Sequence, residues 1–177
     1  MMSNWRTMPH CIRRFVILAL AFATCAFGAS SSLIGHFAPD FALPAVVGDN
    51  VRLSEYRGQP VVLSFWGSGC GTCAKQLATL DKLYRTYRSA GLVVFAVSVD
   101  DNLQRAQQYA HAHAMSYPLL LDGPKDVSRA FVIDRLPTTV LIDRSGVVRY
   151  IHSDDGGDER SYIAQIRTLL DDTPALP

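Results

Sequence analysis

Two cysteines three positions apart, Cys70 and Cys73, are the residues of this 177-residue chain best equipped for chemistry. A pair at that spacing can alternate between dithiol and disulfide, and it exchanges disulfides through a mixed-disulfide intermediate. The surrounding pattern says more than the pair. Residues 61–66 form an apolar run broken only by Ser64, the mark of a strand buried on both faces. After Gly67-Ser68-Gly69 the period changes, and Leu77, Leu80, Leu83, Tyr84 and Tyr87 predict a helix over residues 70–90 that stops at Gly91. Cys70 then faces unpaired N–H groups and the positive end of the helix dipole, which favour thiolate over thiol. Cys73, one turn on, is expected to be the more buried, resolving cysteine.

Other chemistries use the same two letters. Zinc wants four ligands, and the chain beyond residue 29 has no second cysteine pair; its histidines are His36, His111, His113 and His152, with His10 near the N-terminus. No metal site is therefore expected. Copper(I) suits two thiolates and one histidine, His36 or His152, and stays open as the metal alternative. A disulfide kept only for stability would close a loop too short to constrain the unfolded chain much.

The elements that must hold the pair follow from periodicity. Residues 36–60 read as an extended lead-in, with Phe41-Ala42-Leu43 and Val51-Arg52-Leu53 separated by the turn residues Gly48-Asp49-Asn50. Further strands are predicted at 92–99, 118–121, 138–142 and 147–152, and helices at 103–114, 125–131 and 158–170, with Asp100-Asp101-Asn102 as an N-cap region. Strands alternating with helices, then a hairpin and a closing helix, imply one α/β layer structure.

Composition narrows the class. Hydrophobic residues make up 49% of the chain and charged residues 19%, which fits a globular protein and excludes a multispan membrane protein. A formal charge of +1 gives no electrostatic case for nucleic acid. Arg6, Arg13 and Arg14 precede an apolar stretch at residues 15–29 and then Ser30-Ser31-Ser32, the layout of a signal peptide or an N-terminal membrane anchor. About 15 residues are short of the roughly 20 that span a bilayer comfortably. Without residues 1–29 the chain keeps 14 basic residues against 16 acidic ones and loses Cys11 and Cys25, leaving only Cys70 and Cys73. An exported chain meets an oxidising compartment, where paired thiols tend to form disulfides.

With these residues in view, the sequence resembles the extracytoplasmic thioredoxin-like thiol–disulfide oxidoreductases of the TlpA/ResA type, over nearly all of residues 36–171. Ala38-Pro39-Asp40-Phe41 resembles the family's lead-in, Phe65-Trp66-Gly67-Ser68-Gly69-Cys70-Gly71-Thr72-Cys73 its active-site strand and turn, and Leu136-Pro137-Thr138-Thr139 the segment with a cis-proline opposite the cysteines. The resemblance implies a thioredoxin-like fold, a central mixed sheet flanked by helices with an N-terminal extended β lead-in. It implies a redox-active Cys70–Cys73 disulfide, a cis Leu136–Pro137 bond, and a substrate surface made by Leu136, Pro137, Trp66, Gly71 and Thr72. It also implies a reductant of protein disulfides, exported or tethered to the inner membrane in the periplasm. Such a reductant is recharged by a membrane donor of the DsbD or CcdA kind, often serves cytochrome c maturation, and needs no organic cofactor.

The departures from the family matter equally. Gly69 stands where an aromatic is usual, Thr72 where proline is common, Gln76 where many members carry glutamate, and Ser64 where thioredoxins bury an aspartate. No proton acceptor for Cys73 is therefore expected among the familiar acids. A peroxiredoxin-like antioxidant would share the lead-in, but that reading calls for a threonine three residues before the reactive cysteine, where Gly67 stands.

Overall fold

The computed structural model describes residues 33–113, 115–153 and 158–172. The signal-like residues 1–29, with Cys11 and Cys25, lie outside them, and no helix among the described residues is long and apolar enough to cross a membrane. In chain order the elements are β1 (Ala42–Leu43), β2 (Val51–Arg52), β3 (Val61–Trp66), α1 (Cys73–Tyr87), β4 (Val93–Ser98), α2 (Leu103–Ala112), β5 (Leu119–Leu121), α3 (Asp126–Ala130), β6 (Thr138–Ile142), β7 (Val148–Ser153) and α4 (Glu159–Asp171). Every strand and helix predicted from periodicity is present.

The main sheet has the order β5-β4-β3-β6-β7. β3, β4 and β5 run parallel, as strands joined by helical crossovers must, and β6 and β7 join antiparallel to make the sheet mixed. All six residues of β3 are buried, because the strand is central and covered on both faces. Val62, Ser64 and Trp66 face the layer that includes Leu77, Leu80, Tyr162 and Ile166. Val61, Leu63 and Phe65 face the lead-in residues Phe41, Leu43, Val51 and Leu53, with Val127 and Phe131.

The lead-in is an antiparallel hairpin of β1 and β2. Asp40 fastens it by accepting from the Ser54 N–H at 2.9 Å and the Ser54 hydroxyl at 3.0 Å. The same segment bridges to both sides of the main sheet, Ala45 to Leu120 and Phe37 to Val147.

Both ends of α1 differ from the periodicity. α1 begins at Cys73, not at 70, because residues 67–72 form turns: Cys70 N–H donates to Gly67 O at 3.0 Å and Cys73 N–H to Cys70 O at 3.3 Å. Beyond Tyr87 the chain tightens into a 3₁₀ turn, Arg88–Ala90, before Gly91 ends it at φ 100°, a conformation that favours glycine.

Candidate active site

Because β3 and β4 are parallel neighbours, both end on the same side of the sheet, and the loops that leave them meet there. Binding sites of open α/β sheets characteristically lie beyond the carboxyl ends of such strands. The loop after β3 is 67–72. It carries Cys70, which is half-buried, while Cys73 in the first turn of α1 is 1% exposed. The two are joined in a disulfide with their Cα atoms 5.4 Å apart. Spacing and helix position thus divide the pair into an approachable sulfur and an enclosed one. The Thr72 side chain makes no capping bond to α1, and its Oγ1 lies 3.8 Å from the Cys70 sulfur. That hydroxyl is placed to solvate a thiolate when the disulfide opens.

The Leu136–Pro137 peptide is cis, as expected. Leu136 approaches the active-site loop so closely that a Cβ on Gly67 would lie 3.3 Å from Leu136 Cδ1. Cys70, Gly67, Gly69 and Leu136 line one open cleft of about 360 Å³, with Asp100, Asp101 and Lys125 also on its wall. Gly71 and Thr72 are exposed beside it. Gly69 and Gly71 have open space where a side chain would stand, so nothing crowds the approach to Cys70.

Trp66, expected in the substrate surface, is placed elsewhere by the structure. It is 0% exposed and belongs to the core, its ring 4.6 Å from that of Tyr109. As the last residue of β3 its side chain points inward, so it supports the loop from beneath and cannot touch a substrate. Pro137 is likewise buried, leaving Leu136 as the half-exposed member of that pair.

Cys73 belongs to the hydrophobic core, and the buried polar group one helical turn on, Gln76, is uncharged. Gln76 is 5% exposed, and its amide donates to Thr139 Oγ1 at 3.1 Å and to the Tyr162 hydroxyl at 2.9 Å. Ser64, opposite Thr139 in the β3–β6 register, is fully buried and its hydroxyl has no partner among the described residues. His152 packs its ring 4.8 Å from that of Tyr162 and bonds Gln165 through Nε2 at 2.7 Å. Among the described residues no three His, Cys, Asp or Glu side chains converge as a metal site would require, so neither His36 nor His152 reaches the cysteines as a third copper ligand.

Within the expected N-cap region, Asp100-Asp101-Asn102, Asn102 caps α2, accepting from the N–H groups of Gln104 and Arg105. The sequence offers no sign of the different role that Asp100 takes. Asp100 instead accepts from the Ser68 N–H with both carboxylate oxygens, at 2.9 and 3.0 Å, and from the Ser68 hydroxyl at 2.8 Å.

The AhpC/TSA family profile matches residues 34–151. The chain is similar to the thiol–disulfide oxidoreductase ResA of Geobacillus kaustophilus, with 36% identity over 118 residues, covering 67% of this chain and 68% of that one. It is also similar to ResA of Bacillus subtilis, at 30% identity over 138 residues, covering 78% and 75%. Among solved structures, a chain described as a thiol:disulfide interchange protein DsbE, from Chlorobium tepidum, superposes with a TM-score of 0.73 at 30% identity. That match covers 77% of this chain and 97% of that one.

Proposed function

Because the chain belongs to the AhpC/TSA family and is a thiol–disulfide oxidoreductase of the ResA type, we propose that it is exported and works as a reductant of protein disulfides. The observation that carries the reading is the asymmetry of the Cys70–Cys73 pair, half-exposed at one sulfur and enclosed at the other. In the reduced protein, the Cys70 thiolate attacks one sulfur of a substrate disulfide. A Cys70–substrate bond forms, the substrate S–S bond breaks, and one substrate thiolate leaves. Cys73, deprotonated, then attacks the Cys70 sulfur, forming the intramolecular disulfide and releasing the second substrate thiolate. Two electrons have passed to the substrate, and a membrane dithiol donor of the DsbD or CcdA kind restores the pair by the same exchange in reverse.

The substrate lies along Leu136, whose neighbour Pro137 has no N–H to occupy the backbone there, with Gly71 and Thr72 on the other side of Cys70. Export rests on the basic head and apolar run of residues 1–29 and on a cysteine pair suited to an oxidising compartment. Cytochrome c maturation is the substrate class that the family resemblance favours.

The deciding measurement is the reduction potential of the Cys70–Cys73 couple in glutathione or dithiothreitol buffers. A value near that of thioredoxin, about −270 mV, supports a reductant, and one near that of DsbA, about −120 mV, overturns it. Fractionation of cells for the tagged chain tests export, and recovery from the cytosol alone refutes it. The same reduced protein, given hydrogen peroxide, tests the antioxidant reading suggested by Ala38-Pro39-Asp40-Phe41; rapid consumption of peroxide would favour it.

A further inference from the structure

We infer that Asp100 is a positioning residue for the dithiol: it pins the active-site loop from the end of β4 and sets a fixed negative charge against the Cys70 thiolate, making the couple more reducing. The inference rests on the disulfide-exchange activity and not on its direction. The argument begins where the ladder ends. Trp66 and Ser98 are the last paired residues of β3 and β4, and Val99 N–H still donates to Trp66 O at 2.9 Å. Two residues further along each strand stand Ser68 and Asp100. There the backbones no longer pair, and the Asp100 carboxylate takes over by holding the Ser68 N–H and hydroxyl. Its own orientation is fixed from behind by the fully buried Ser98, whose hydroxyl donates to Asp100 Oδ2 at 2.9 Å and accepts from the Asp100 N–H at 3.2 Å.

A Cβ on Gly69 or Gly71 would meet nothing within 4 Å, and Gly67 leaves just enough room for Asp100, whose Oδ1 would lie 3.6 Å from a Cβ there. The turn bond from Cys70 N–H to Gly67 O then transmits the position of residues 67–68 to the sulfur. One carboxylate thus places the loop that carries the nucleophile.

Its charge lies in the same cleft as Cys70. The other ionisable groups on that wall are Asp101 and Lys125, and they neutralise each other across 2.6 Å. From α2, Arg105 and Tyr109 face Ser68 and Gly69 on the far side of the loop. A carboxylate facing a thiolate disfavours the ionised thiol, raises its pKa and shifts the equilibrium toward the disulfide.

The test compares wild type, Asp100→Asn and Asp101→Asn by thiolate absorbance against pH and by glutathione equilibrium at pH 9, where the thiolate is populated. Asp100→Asn keeps an oxygen acceptor for Ser68 and loses the charge. Its Cys70 pKa is expected to fall by up to about one unit, and its equilibrium to move about three- to tenfold toward the dithiol. Asp101→Asn should move it less than about twofold, because that side chain is largely exposed and solvent screens its charge. An unchanged pKa and equilibrium in folded Asp100→Asn overturns the inference, as does an equal shift in Asp101→Asn. Should Asp100→Asn fail to fold, the carbon-13 shift of the Asp100 carboxyl in reduced wild type decides: a step at the Cys70 pKa is expected, and a flat response refutes the coupling. A wild-type couple as oxidising as DsbA would refute the reductant proposal and leave the difference between variants intact.

Discussion

Cys70 and Cys73 share a bond and almost nothing else. Around Cys70 the chain is glycine-rich, open and bordered by Asp100, Asp101 and Lys125. Around Cys73 it is enclosed in the hydrophobic core, and the buried polar group one turn on is an amide, Gln76, bonded to the hydroxyls of Thr139 and Tyr162. Charge therefore acts on the attacking thiol, while the resolving thiol lies in a buried, uncharged setting. The contrast explains how one small ring can have two unequal sulfurs: solvent and charge control the first, burial the second.

The most severe way to break the comparison is to exchange the roles. Cys70→Ser is expected to lower disulfide exchange on the order of a thousandfold or more, as loss of a nucleophile does. Cys73→Ser should still attack and accumulate a mixed disulfide through Cys70, resolved by gel under non-reducing conditions. Equal trapping by both variants would show the two sulfurs to be interchangeable.

Introducing a charge on the buried side tests the other half. Gln76→Glu is nearly isosteric and puts a carboxylate against Thr139 and Tyr162. Burial should raise its pKa above the ordinary 4.3, so the folded state is little affected at acid pH and loses stability as pH rises through the raised value. A loss of about 1–3 kcal/mol by urea melts at pH 8 is expected. The pH–rate profile of wild type should show one ionisation, that of Cys70, and the variant should add a second that alters resolution. Two coupled ionisations in wild type would show that an acid elsewhere already serves Cys73.

A smaller effect is expected on the open side from Gly67→Ala. The added Cβ meets Leu136 Cδ1 at 3.3 Å and Asp100 Oδ1 at 3.6 Å, so Leu136 must give by a few tenths of an ångström. Exchange with a protein disulfide should slow several-fold, exchange with a small aromatic disulfide less, and stability should fall by about 1 kcal/mol.

The least effect is expected far from both sulfurs, at Asp40. Burial acts to raise its pKa, but hydrogen bonds from the Ser54 N–H and hydroxyl, the Phe41 N–H and Arg52 outweigh that and hold the carboxyl below its ordinary range. Its contribution is present above the unfolded pKa near 4 and is lost as pH falls through the depressed value. Asp40→Asn should cost less than about 1 kcal/mol at pH 7, with the difference shrinking as pH falls below the unfolded pKa and the exchange rate unchanged.

Much of this was readable from residues alone because it is local. The apolar run at 61–66 became a fully buried β3, and the three-and-four recurrence from Leu77 to Tyr87 became α1. The cis bond before Pro137 followed from family resemblance, since an isolated X-Pro bond is cis only about 5–6% of the time. What escaped depends on pairing across the chain. Ser68 and Asp100 are 32 residues apart and meet only because β3 and β4 are parallel in a particular register. Trp66 was expected in the substrate surface from the family resemblance, but it lies in the buried strand with Val62 and Ser64 and faces the core. The helix was expected to begin at about Cys70, yet turn bonds at Gly67 and Cys70 hold residues 67–72 outside it and α1 begins at Cys73.

The lead-in has a consequence for association with other chains. A sheet with free outer strands is a template on which foreign strands can grow. Here Val46 N–H donates to Leu119 O, and Leu121 N–H to Pro44 O, so the β5 border is occupied. At the opposite border Gly35 N–H donates to Val148 O, and Val148 N–H to His36 O. One continuous segment, residues 35–46, thus seals part of both borders of the same sheet. Foreign strands are thereby kept from joining the sheet along those parts of its borders.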